Sequence, residues 1–87
     1  MAAVLLALRM IWDDVEALLV EMIVQQEAKV LELGRQLVPG VTTEDLRNPH
    51  DFLPLVESAE FNYADGILAG LKSAIVAVRA ARRASQA

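Results

Sequence analysis

Apolar residues recur at helical spacing through the first 38 positions. At about 100° per residue, one arc gathers Val4, Leu5, Leu8, Ile11, Trp12, Val15, Leu18, Leu19, Met22, Ile23, Val30, Leu33 and Leu37. No proline interrupts residues 3–38, and Gly34 is their only glycine. The pattern predicts one long amphipathic helix over about 3–38. Pro39-Gly40 ends it, because proline cannot continue a helix and glycine accepts the backbone reversal that follows. A weaker apolar strip, Leu6, Val20, Val24, Leu31 and Val38, lies on another side of this helix. A surface helix needs only one apolar face, so two faces point to burial on two sides.

A second helix is expected over about 61–83. Ser58 and Asn62 are both suitable N-caps, because a short side-chain oxygen can accept a hydrogen bond from a free N–H of the first turn. Phe61, Ala64, Ile67, Leu68, Leu71, Ala74, Ile75 and Val78 form its core stripe. Gly66, Gly70, Ser73, Ala77, Ala80 and Ala84 form another face, with intervals of 4, 3, 4, 3 and 4. That is a heptad rhythm built only of small residues. Glycine costs up to about 1 kcal/mol relative to alanine inside a helix. Close approach of another helix is one way to offset it. The end of the chain, residues 84–87, is expected to fray.

Residues 39–60 form the connector. It exceeds the roughly 2 to 8 residues common between bundle helices, so order within it is expected. Thr42 or Thr43 can cap a short helix ending at Leu46, with Glu44 and Asp45 near its positive end. Asn48-Pro49 reads as a turn or as a cap followed by a first-turn proline. His50 to Leu53 can make one helical turn before Pro54. Phe52, Leu53, Leu55 and Val56 are apolar enough to fold back over the helices.

The fold class is therefore all-α: a single domain of 87 residues forming a long antiparallel helical hairpin with a partly helical connector. Hydrophobic residues make up 55% of it, more than two helices can bury alone. We expect two hairpins to associate into a homodimeric four-helix bundle. The interface residues expected are Leu6, Val20, Val24 and Leu31 of the first helix and Gly66, Gly70, Ser73, Ala77 and Ala80 of the second.

Charge sharpens this arrangement. The net charge of -4 divides unevenly. Residues 1–65 carry all twelve acids against four cations, whereas residues 66–87 carry Lys72, Arg79, Arg82 and Arg83 and no acid. Antiparallel pairing brings Arg79, Arg82 and Arg83 near Asp13, Asp14, Glu16 and Glu21. Cations also suit a helix C-terminus. Gln26 falls inside the main apolar arc. It either fixes helix register as a buried polar group or is solvated where the helices splay, and the sequence favours neither.

Composition leaves little equipment for catalysis. There is no cysteine and one histidine, and no nucleophile-elbow or phosphate-loop motif. Glu16 and Glu27 are eleven residues apart, roughly 16 Å along a helix, too far to share a metal. No cofactor, metal or catalytic residue is expected. His50 and Asp51 are a candidate polar pair. The leading expectation is a non-enzymatic interaction or scaffold protein. A second reading is a ligand-binding or enzymatic bundle with a pocket near Trp12, Tyr63, His50 and Asp51. A third is a nucleic-acid-associated regulator using the basic C-terminus. Arg9 and Asp13 interrupt the first apolar run and Lys72 the second, and a membrane span needs about 20 apolar residues. A cytoplasmic protein with no membrane span is expected.

Overall fold

The computed structural model describes residues 1–86. Helix α1 spans Ala2–Leu37, a short helix α2 spans Leu53–Glu57, and helix α3 spans Ala59–Gln86. Two 3-10 turns, Asp45–Arg47 and Pro49–Asp51, lie in the connector. The all-α hairpin is thus the observed architecture. α1 and α3 run antiparallel, since Asp13 reaches Arg82 while Gln26 reaches Ala64. The body measures 56 × 20 × 18 Å, and a 36-residue helix accounts for its length at about 1.5 Å per residue.

The helix ends follow local chemistry. Val41 N–H donates to Val38 O at 3.1 Å, and Gly40 between them has φ +84°. Proline then glycine in the two central positions fits a type II turn, which needs a positive φ at the second. At the start of α3, Ser58 Oγ accepts from Phe61 N–H at 3.0 Å, so Ser58 is the cap. Asn62 has a different role. Its side-chain amide donates to the carbonyls of Leu55, Val56 and Ser58, tying α2 to α3. Thr42 and Asp45 exchange hydrogen bonds, each accepting from the other's backbone N–H, in the manner of a capping box.

Several boundaries differ from the sequence reading. The helical turn expected over His50 to Leu53 is a 3-10 turn at Pro49–Asp51; extended Phe52 separates it from α2, which takes Pro54 into its first turn, where proline fits. Helix α3 begins at Ala59, between the two candidate caps Ser58 and Asn62, and continues past Arg83 to Gln86. Residues 84–86 are helical, and Ala87 lies outside the described residues.

The core sits at the connector end. Val30, Leu55, Phe61, Ala64 and Leu68 form one buried cluster, with Leu46 and Phe52 packed against it. Phe61 and Leu55 are fully buried. Leu53 and Val56, expected to fold back with Leu55, are exposed, because α2 turns only one face inward. The broad apolar arc of α1 is likewise only partly covered. Val30 is its one fully buried member, Trp12, Leu19, Ile23 and Leu33 are half-buried, and the rest are exposed. One partner helix meets α1 along a single line, and only near Val30 does the connector add a second wall. On α3 the expected stripe buries Phe61, Ala64, Leu68 and Ile75, while Ile67 and Ala74 remain exposed on its edge.

Gly34 is the residue that lets the connector close. It is buried, and a Cβ there would stand 3.0 Å from Leu46 Cδ2 and 3.4 Å from Val41 Cγ1. Gly34→Val adds two further carbons at that contact. It is expected to lower stability by about 1–3 kcal/mol through overpacking, read by chemical denaturation. An unchanged midpoint would show that Leu46 repacks freely.

Candidate interaction surface

The two flanks of the hairpin differ in chemistry. One edge of the α1–α3 contact carries ion pairs. Arg82 reaches Asp13 at 2.8 Å and Glu16 at 3.1 Å, Arg79 lies 3.5 Å from Glu16, and Lys72 lies 4.0 Å from Glu27. The pairing expected from the charge asymmetry is realised for Arg79, Arg82, Asp13 and Glu16. Arg83, Asp14 and Glu21 take no part in an ion pair among the described residues; Glu21 accepts a hydrogen bond from Gln25 instead. The hydrogen bonds to Glu16 and then Asp13 hold the Arg82 guanidinium above its ordinary value, outweighing its loss of solvent. These groups are solvent-accessible, and exposed pairs orient helices more than they stabilise them.

Gln26 resolves toward register. Its side-chain amide donates to Ala64 O at 2.9 Å across the interface, in a half-buried position. This is a specific polar tie between α1 and the first turns of α3.

The other flank is apolar. Val4, Leu8, Ile11, Val15, Leu18 and Met22 follow one another on α1 at intervals of 4, 3, 4, 3 and 4. They are between 37% and 61% exposed. No charged residue interrupts the stripe. These side chains belong to the main apolar arc read from the sequence; the hairpin leaves them exposed, because α3 faces the adjoining part of the arc. The strip expected at the oligomer interface is also accessible. Leu6, Val20 and Val24 are exposed and Leu31 is half-buried. Gly66, Gly70, Ser73, Ala77 and Ala80 are exposed on the side of α3 away from its buried residues. A Cβ at Gly66 or Gly70 would meet nothing within 4 Å, so no close approach occurs there within one chain.

The residues of the expected pocket do not converge. Trp12 lines an open groove with Leu8, Arg82 and Ser85 at the chain-end side. Tyr63 is 74% exposed near the connector end of α3. His50 and Asp51 are exposed in a 3-10 turn. On a helical rise of 1.5 Å, the level of Trp12 on α3 lies about 30 Å from Tyr63. A cleft of about 240 Å³ at the connector end combines Glu27, Lys72, Arg47 and Asp65 with Val30 and Leu68. It falls below the roughly 300–1,000 Å³ of small-molecule sites, whereas the groove at Trp12, about 830 Å³, lies within that range but is open to solvent. Among the described residues, no group of three histidine, aspartate or glutamate side chains is placed to hold a metal ion. Among the described residues, no helix is long and apolar enough to cross a membrane.

The ion pairs should hold the open end together. Arg82→Ala is expected to speed amide hydrogen exchange in the first turns of α1 and the last turns of α3. The difference should shrink as salt rises from about 0.01 M to about 1 M, where the screening length falls from about 30 to about 3 Å. Equal exchange rates at low salt would show that the pairs are passive.

In comparisons with known proteins, the chain matches no protein-family model, no curated protein and no solved structure.

Proposed function

We propose that this chain is a small non-enzymatic helical protein that acts by self-association, as a homodimeric four-helix bundle serving an interaction or scaffold role. The observation that carries this reading is the uninterrupted apolar stripe of α1 from Val4 to Met22, half-exposed in the single hairpin. Fully burying one such side chain contributes about 1.5–3 kcal/mol. Covering the exposed half of six in each of two copies contributes on the order of 10 kcal/mol. Association itself costs about 4–15 kcal/mol. The two figures are comparable, so one charge placed on the stripe, doubled by symmetry, decides whether the dimer forms.

The small-residue face of α3 is the alternative contact. Open space over Gly66 and Gly70 gives another helix room to approach closely. The nucleic-acid reading has less support, because Lys72, Arg79 and Arg82 already face α1 carboxylates.

Leu18→Glu and Gly70→Leu separate the two faces. By light scattering after size exclusion, the unmodified chain should have twice its 9.5 kDa mass. Leu18→Glu should have the single-chain mass and Gly70→Leu the doubled mass. A monomeric Gly70→Leu beside a dimeric Leu18→Glu would move the interface to the small-residue face.

A further inference from the structure

The geometry points to a specific arrangement of the second copy: its two-fold axis runs along the hairpin, and α1 of each chain lies on α3 of the other. This rests on the self-association proposed above and adds the partner's placement.

The apolar flank contains a second stripe. On α3, Ile67, Leu71, Ala74, Val78, Ala81 and Ser85 follow one another at 4, 3, 4, 3 and 4, the same intervals as Val4 to Met22 on α1. Both stripes belong to one flank. Met22, Gln25 and Lys29 border the same surface crevice as Ile67 and Leu71, and helical periodicity carries each apolar stripe from there toward the chain-end side. The ion pairs occupy the other edge. Each hairpin therefore presents two parallel rows of matching spacing, running in opposite chain directions. A two-fold interface must be self-complementary, and such a face is.

Register agrees. In the hairpin, Arg82 with Asp13 and Arg79 with Glu16 add to 95, and the other cross-helix contacts, Gln26 with Ala64, Arg82 with Glu16 and Lys72 with Glu27, add to 90, 98 and 99, so level residues add to about 95. A two-fold axis along the hairpin leaves heights unchanged. The α3 of the second copy then stands opposite α1 in nearly that register. The heptad positions that meet are Ile11 with Ser85, Val15 with Ala81, Leu18 with Val78 and Met22 with Ala74, each adding to 96, and the row continues with Gln25 opposite Leu71 and Lys29, whose aliphatic stem can cover Ile67. Large side chains of α1 enter spaces left by smaller ones of α3, as interdigitating layers require.

The competing arrangement sets α1 on α1. Pairing Val4 with Met22 and Leu8 with Leu18 would bring the two Asp14 carboxylates close to the axis. Size permits the interface. The whole side of the hairpin, 56 × 20 Å with the connector end included, is on the order of 1,000 Å², against about 800 Å² per partner in a standard interface.

The chain has no cysteine, so introduced thiols report contacts cleanly. Val15→Cys and Ala81→Cys are made in separate full-length chains carrying tags of different mass, mixed, and oxidised under air. A disulfide-linked species joining the two different tags is expected in the mixture, with little linkage in either variant alone. If light scattering shows a dimer while Val15→Cys alone crosslinks, α1 lies on α1 and the inference fails. A dimer that links only through Gly70→Cys, made as a third chain, also overturns it in favour of the small-residue face. A monomer overturns the self-association itself.

Discussion

Two helices share one line of contact, and everything else in this structure follows from how little of α1 that line can cover. α1 carries an apolar arc wider than a single neighbouring helix can bury. α3 covers the part that includes Trp12, Leu19, Ile23 and Val30. The connector supplies a second wall only at one end, and the buried cluster of Val30, Leu55, Phe61, Ala64 and Leu68 forms there. Away from that end the hairpin has no third element. The stripe from Val4 to Met22 therefore stays in water unless something outside the chain covers it.

Polar interactions decide orientation rather than supply most of the stability. Gln26 ties to the Ala64 carbonyl, and Arg79, Arg82 and Lys72 face carboxylates of α1. Each is satisfied in one antiparallel register. Their position along one edge leaves the other uncharged over several turns. A protein with one charged and one apolar flank has a preferred side for association. That division, more than total hydrophobicity, supports an assembly of defined geometry.

The helices, the Pro39-Gly40 stop, the Ser58 cap and the charge pairing were legible because each depends on neighbours in sequence or on simple periodicity. Gly34 was not legible. Its role depends on Leu46 and Val41 arriving from the connector, and nothing in the local pattern announces that. Asn62 read as a cap but clasps three carbonyls of the preceding turns, a role set by the sharp junction at Ser58. The apolar arc of α1 was visible as a whole. Its division into a covered part and an open part was not, because the division depends on which side α3 occupies. The candidate residues Trp12, Tyr63, His50 and Asp51 were grouped by chemistry, and the length of the hairpin keeps them apart.

The central claim is that a second copy covers the open flank. Sedimentation equilibrium of the unmodified chain over a range of micromolar concentrations tests it most directly. The account predicts a mass approaching twice 9.5 kDa that falls toward the single-chain value on dilution. A mass of 9.5 kDa at every concentration would contradict it.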